Sequence, residues 1–395
     1  MPALLLYKIM QKRKTSDWLI NPIFIFSFLW ATQIFGHIIF SGDFYPFVAD
    51  TWIIIFGGFC AFIVGCITTK IFREKNAHVN SEYKDYVPRF VNLYIKILLP
   101  IYILFVAMPQ IVNYALNSGQ LLSEVRSSLV DSVVDNDRSV ILVLYLHYLV
   151  VIASLLALSY ASKFRKIIVI YIVISGVVAG LLTFGRTILM LYFISLSIIL
   201  YFQARIGKKT VFIFGFSFLI IFFLIAYLLG KGGADNTLFE SVAWNFKVYA
   251  LSAVAAFNNY VAVGDPNIPG WLLVPNFLKS ILGFIGINSD VTPTVLPFVE
   301  TPLPTNVYTA FFPWYHDGGI LGVLFGFFAI GFISMYLFRM RYKSKLNLLN
   351  YALSLYPLIM TIFEEQYLRT YTLWTLVFLL YIFFFAFENF KFKRI

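Results

Sequence analysis

The sequence predicts an all-α, polytopic integral membrane protein of about ten transmembrane helices with both termini in the cytoplasm, and three observations carry that reading. Of the 395 residues, 60% are hydrophobic and only 12% charged, with a mean hydropathy of +0.83. A soluble domain of that composition lacks the polar groups to cover its own surface, so lipid has to be the solvent. Apolar runs recur from Trp18 to Phe390, each near the roughly twenty residues a helix needs to cross hydrocarbon. Finally, the 30 Lys and Arg against 19 Asp and Glu are clustered rather than scattered. Basic groups fall at Lys8/Lys12/Arg13/Lys14, Lys70/Arg73/Lys75, Lys84/Arg89/Lys96, Lys163/Arg165/Lys166, Arg205/Lys208/Lys209, Arg339/Arg341/Lys343/Lys345 and Lys391/Lys393/Arg394, each beside an apolar run. A net charge of +11 in a soluble protein would point to nucleic acid. Here the positive-inside rule absorbs it, and no nucleic-acid partner is expected. Those clusters, 23 of the 30 cations, mark the cytoplasmic turns, while the other loops hold 14 of the 19 acids.

Taken in order, the expected spans are 19–40, 51–69, 91–113, 139–162, 167–183, 187–204, 210–230, 318–338, 347–363 and 370–389. The first is long, carries Gln33 and His37, and has no small-residue cleavage pattern behind it, so it reads as a retained helix rather than a signal peptide. The second holds Cys60 and Cys66, six residues apart and on different helix faces, which makes them buried fillers rather than a disulfide or metal pair. A short polar outer loop, 114–138, contains Glu124, Arg126, Asp131, Asp135, Asp137 and Arg138. Spans five and six must form a tight hairpin, because Lys166 and Arg205 both lie inside. Its tip is Thr183–Phe184–Gly185–Arg186, which sets Arg186 at the outer membrane boundary.

The chain is read as a single polytopic membrane domain, 1–395, with one dominant outer loop, 231–305, between helices 7 and 8. Seven of the fifteen prolines fall in 264–304, so the loop is structured but irregular. Val242–Val263 tempts an eleventh span, but counting it would send the basic clusters at 339–345 and 391–394 outward. It is read instead as an interfacial or cavity-lining helix, and Trp271–Ile287 as a second interfacial helix bent at Pro275. The Gly-x-x-x-Gly pairs Gly176/Gly180 and Gly322/Gly326 allow close helix approach.

Cations are selected against in short translocated loops, so the few outer ones require a reason. They are Arg126, Arg138, Arg186, Lys231, Lys247, Lys279 and Arg369. An outer anion supplies it, and Arg186 can grip a phosphate bidentately while its stem lies on apolar surface. The bland alternative is an Arg snorkelling to headgroups. A second constellation precedes span eight: Asn306, Tyr308, Thr309, Tyr315, His316 and Asp317, followed by Gly318, Gly319 and Gly322. His316 and Asp317 suit a proton acceptor and its orienting carboxylate, the rings suit sugar stacking, and the glycines permit a sharp bend. An aromatic belt with a helix cap explains much of it without chemistry. The third, Glu364–Glu365–Gln366–Tyr367–Leu368–Arg369, brings two carboxylates and an Arg to the same face, or is a plain solvated turn. Gly230–Lys231–Gly232–Gly233 lacks phosphate-loop spacing and no metal-ligand spacing is present, so neither a cofactor nor a metal is expected.

The Gly185–Arg186 hairpin, the large outer loop, and Asn306–Val307–Tyr308–Thr309 followed by Asp317–Gly318–Gly319 and Gly322 together resemble the O-antigen or oligosaccharide repeat-unit polymerases of Wzy type. That resemblance implies a GT-C-like helical glycosyltransferase in the bacterial inner membrane with its large loop in the periplasm. It implies polymerisation of undecaprenyl-diphosphate-linked oligosaccharide repeat units, with undecaprenyl diphosphate leaving. Arg186 would stabilise the leaving diphosphate, helped by some of Arg126, Arg138, Lys231, Lys247 and Arg369. His316 or Asp317 would take the sugar proton, with Glu364 or Glu365 behind them. Membrane lipid and a chain-length regulator are the other partners it implies. O-antigen ligases resemble the same layout. A flippase or transporter for lipid-linked sugars is the alternative of another class, although no internal repeat is visible and the polar features gather on one face.

Overall fold

The computed structural model describes residues 17–71, 87–116, 137–203, 251–264, 270–287, 296–301 and 304–389, with isolated positions at 206–213, 244, 247, 290 and 292. The expected span 210–230, Arg126, Lys231 and most of the first half of the 231–305 loop lie outside the described residues. Among those described, the architecture is helical, with one isolated antiparallel bridge, Val299 to Thr305. Six helices among the described residues are long and apolar enough to cross a membrane: α1 (Pro22–Ile39), α2 (Ala49–Thr68), α3 (Arg89–Tyr114), α4 (Arg138–Leu158), α9 (Phe311–Met340) and α11 (Tyr371–Asn389). Between them run α5 (Lys166–Leu181), α6 (Arg186–Phe202), α7 (Ser252–Val263), α8 (Asn276–Phe284) and α10 (Lys345–Met360). Helices α5 and α6 are apolar but one turn short of the span length. Helix α10 also has only 16 residues and carries Pro357 in its last turn.

The chain divides into two compact units. One comprises 1–77, 246–340 and 357–369, the other 78–245, 341–356 and 370–395. In the first, α2 and α9 are in backbone contact. A Cβ on Gly65 would strike Phe328 O, one on Gly331 would strike Phe62 O, and the Cys66 thiol donates to Gly331 O at 3.2 Å. Stacked rings fill the neighbouring space, with Phe26 on Phe62 and Phe311 on Phe327, both at 4.0 Å between centroids. Helix α7 is tied in by Asn258, whose Oδ1 accepts from Val48 N and Thr51 Oγ1 and whose Nδ2 donates to Pro46 O.

In the second unit, α3 contains two π-helical stretches, Tyr94–Leu98 and Ile103–Ala107. These wide turns rotate Tyr94 and Tyr102 onto α4. Tyr94 OH bonds Ser154 Oγ at 2.7 Å, and Tyr102 OH bonds His147 Nδ1 at 2.7 Å, with Gln110 Oε1 at 3.0 Å from His147 Nε2. A polar seam inside an apolar unit is held only where every member is bonded.

Two sequence expectations change. Pro275 does not bend a helix over Trp271–Ile287; it caps a shorter one, α8, where the missing N–H of proline costs nothing. The bend expected at Gly318–Gly319 is present, since α9 is broken at Gly319, whose φ of 57° and ψ of −150° are non-helical, and a further helical segment from Phe311 precedes it. Cys60 also departs from the filler reading, being exposed where Cys66 is buried.

Candidate functional site

The break at Gly319 folds the first two turns of α9 back along the rest of it. A Cβ on Gly322 would meet Trp314 O and one on Gly326 would meet the Trp314 ring. Eight to twelve residues apart along a straight helix these atoms would be ~12 Å or more distant at 1.5 Å per residue. The Gly322/Gly326 pair therefore makes a groove for the chain's own Trp314. Phe311 is pinned at the far end, stacked on Phe327 and edge-on to Trp30 at 4.9 Å. Thr309 starts the fold-back segment, accepting from Phe311 N with its hydroxyl, while Ala310 N donates to Thr361 O at 3.0 Å. A φ of +57° is a region side chains enter at a cost of about 1–2 kcal/mol, so a glycine at 319 is what permits the reversal.

His316 and Asp317 stand beside that reversal. His316 Nδ1 and Asp317 Oδ1 are 2.8 Å apart, with side-chain exposures of 14% and 11%. The carboxylate is gripped from its other side: Leu272 N donates to Oδ1 at 2.9 Å and Leu273 N to Oδ2 at 2.7 Å. Three donors on one carboxylate fix its orientation, and the imidazole takes its own from it. Phe312 and Tyr260 flank the His316 ring at 5.8 and 6.1 Å between centroids, and Tyr315 meets Tyr260 and Phe257 edge-on. A proton-transfer pair within an aromatic wall can accept a proton from a bound hydroxyl and hold sugar faces.

The loop that supplies those two amides is held by a residue the sequence reading counted only as an outer cation. Lys279 on α8 is 2% exposed, donates from Nζ to Asp290 O at 3.0 Å and to the Thr292 hydroxyl, and Thr292 in turn donates to Trp271 O. Burial draws the Lys279 ammonium below its usual range, against the pull of Asp317 and Asp290. Its only sequence signal is a lone Lys in an otherwise uncharged helix.

The turn 361–369 belongs to the same unit. Arg369 Nη1 donates to Glu364 Oε1 and Gln366 Nε2 to Glu364 Oε2, both at 2.9 Å. Glu365 is fully buried and its two oxygens accept the backbone N–H groups of Tyr367, Leu368 and Arg369 at 2.8 to 3.1 Å. Burial raises the proton affinity of both carboxyls. The hydrogen bonds that Glu365 accepts close the turn, which gives it a structural part beside its reading as a reserve base. Arg369 is paired with Glu364 through Nη1.

The remaining candidates are placed as follows. Tyr308 is buried, donating to Pro297 O at 3.2 Å and stacked on Phe312, and Thr309 is buried with its hydroxyl used as a cap. Asn306 and Tyr315 are half-buried. Lys247 pairs with Asp43 at 2.7 Å and lies over the Phe40 ring. In the other unit, Arg138 is exposed at the start of α4, after the Asp137 cap. Arg186 is the first residue of α6, preceded by Gly185 as its cap and by Phe184 at a φ of +50°. A bulky residue in that region marks strain of about 1–3 kcal/mol held by its surroundings. The helix start adds a positive dipole end beside the Arg, which favours anions. No group of three His, Cys, Asp or Glu able to hold a metal occurs among the described residues.

Comparison with known proteins returns a curated relative, an O-antigen polymerase from Shigella dysenteriae, 31% identical over 187 residues. The match covers 45% of this chain and 46% of the relative, so under half of that protein's length is spanned. No family model matches, and no solved structure matches.

Proposed function

We propose that the chain is a membrane glycosyltransferase that polymerises undecaprenyl-diphosphate-linked oligosaccharide repeat units, of O-antigen or capsule type, at the periplasmic face of the bacterial inner membrane. The observation that carries this is the His316–Asp317 pair, held at a re-entrant bend by two backbone amides, in a chain 31% identical over part of its length to an O-antigen polymerase. Ten spans with both termini inside, and a GT-C-like arrangement, complete the reading.

In this mechanism the hydroxyl oxygen at the non-reducing end of one repeat unit attacks the anomeric carbon of another. The bond from that carbon to the diphosphate oxygen breaks, and undecaprenyl diphosphate leaves with the electron pair. With Nδ1–H directed at Asp317, His316 carries its lone pair on Nε2, and that nitrogen takes the hydroxyl proton. Arg186 neutralises charge on the departing diphosphate, the step at which fixed cations contribute most. Glu364 is salt-bridged to Arg369, and Glu365 holds the turn on which both sit.

Deleting the gene in its host and running surface glycan beside the complemented strain tests the reading. Loss of the ladder, with one repeat unit still attached to the acceptor, is the expected result. No attached unit with lipid-linked polymer accumulating outside would replace it with a ligase, and single units trapped inside with a flippase.

A further inference from the structure

Helix α8 shows three faces. With 100° per residue, Phe277, Leu278, Ile281, Phe284 and Ile285 fall on one arc about 120° wide, and all five are exposed, Phe284 by 91% and Ile285 by 68%. Opposite that arc is Lys279, buried and bonded into the 290–292 segment. Ser280 and Gly283, also exposed, occupy the flank between. A helix on a water-facing loop has no use for an uncharged aromatic stripe of this size, and a stripe backed by a buried cation and flanked by small polar positions has the geometry of a helix lying in a bilayer surface.

The same unit carries further exposed apolar surface on α9. The hydrogen bonds donated by the Leu272 and Leu273 amides to Asp317 tie the segment leading into α8 to α9. There Ile320, Leu321, Leu324 and Phe325 are exposed on a membrane-length helix. The one charge on α8 is turned inward, so the stripe offers nothing to an acidic or basic protein surface and everything to hydrocarbon.

We propose that α8 lies in the plane of the bilayer on the side that carries Asp317, its five-residue stripe in contact with lipid acyl chains, and that this seating holds the Leu272–Leu273 amides against the carboxylate. The lipid contact rests on the membrane character of the chain and not on the glycan chemistry.

The test uses the full chain with Cys60 and Cys66 replaced by Ala, one copy per nanodisc of phosphatidylcholine and phosphatidylglycerol. A polarity-sensitive fluorophore is attached at Phe284→Cys in one sample and at Ser280→Cys in another; Ile285→Cys is the second stripe position should the first variant fold poorly. Lipids brominated near the carbonyl end of the acyl chain are expected to quench the label at 284 or 285 several-fold more than at 280, while aqueous iodide does the reverse. Equal quenching by iodide at stripe and flank would overturn the proposal, since the stripe would then face water. Protection of the stripe from both quenchers would overturn it too, because protein, not lipid, would be covering it. Neither result depends on polymer formation, so the outcome is separate from that of the gene deletion.

Discussion

Asp317 and Glu365 belong to the same unit, and each is gripped by consecutive backbone N–H groups: Leu272 and Leu273 for the first, Tyr367, Leu368 and Arg369 for the second. The donors of Glu365 come from two to four residues further along the chain, and its side chain is sealed from solvent, so the bonds close a local turn. The donors of Asp317 come from more than forty residues away, and one of its oxygens also faces His316 at the surface of the site. The same interaction thus builds a turn in one place and orients a titratable neighbour in the other. What separates them is whether the carboxylate keeps contact with a group that can meet substrate.

The largest effect that sharpens this comparison is at His316. His316→Ala removes the proposed proton acceptor and is expected to lower polymer formation by about 10²–10⁴, with the protein still accumulating in membranes, read from the glycan ladder beside an immunoblot. Near-normal chain growth would leave the pair as an aromatic-belt feature. Next comes Arg186→Ala, with a loss of about 10²–10³. Arg186→Lys should behave nearly as badly because the two-pronged grip is lost with the guanidinium. Polymer of normal length in either variant would remove the diphosphate role. Asp317→Asn keeps the shape but turns an acceptor into a donor facing either an amide or the imidazole, and misorientation of that kind costs up to about a hundredfold. Glu365→Gln is the contrast: activity per molecule should hold while stability falls by about 1–3 kcal/mol, measured as a lower thermal midpoint in detergent. A loss of turnover without loss of stability at Glu365 would erase the distinction between the two carboxylates.

Local pattern in the sequence foretold part of this and distance in the chain hid the rest. Composition and run length were enough for a helical chain with membrane-length helices, and Gly318–Gly319 beside His316–Asp317 was enough to expect a bend there. The direction of the bend was not legible, because Phe311–Pro313 is as apolar as a span and nothing local says that Trp314 will lie in the Gly322/Gly326 groove. Nor were the amides on Asp317, since backbone donors carry no residue signature. Lys279 read as an outer cation because burial of a lysine depends on a carbonyl at Asp290 and a hydroxyl at Thr292 that only the folded loop brings to it. Pro275 illustrates a local ambiguity: a proline can bend a helix or start one, and the sequence around it fits both.

The smallest expected effect concerns pH. Burial raises the folded-state proton affinity of Glu364, opposed by Arg369, and of Glu365, opposed by its three backbone donors. A carboxyl whose folded pKa lies above its unfolded value favours the fold when it is protonated. That contribution is complete below the unfolded value, about 4.3 for a glutamate, and is lost as pH rises through the raised folded values. The thermal midpoint of the wild-type chain should therefore carry a component that falls with rising pH over that window. Glu365→Gln, neutral at every pH, should flatten the component, and Glu364→Gln should flatten it too while leaving Arg369 without its carboxylate partner and so lowering the midpoint throughout. An unchanged slope in Glu365→Gln would mean that the three N–H groups stabilise the ionised form as much as burial disfavours it. Glu365 would then hold its turn with no net pull on its own proton.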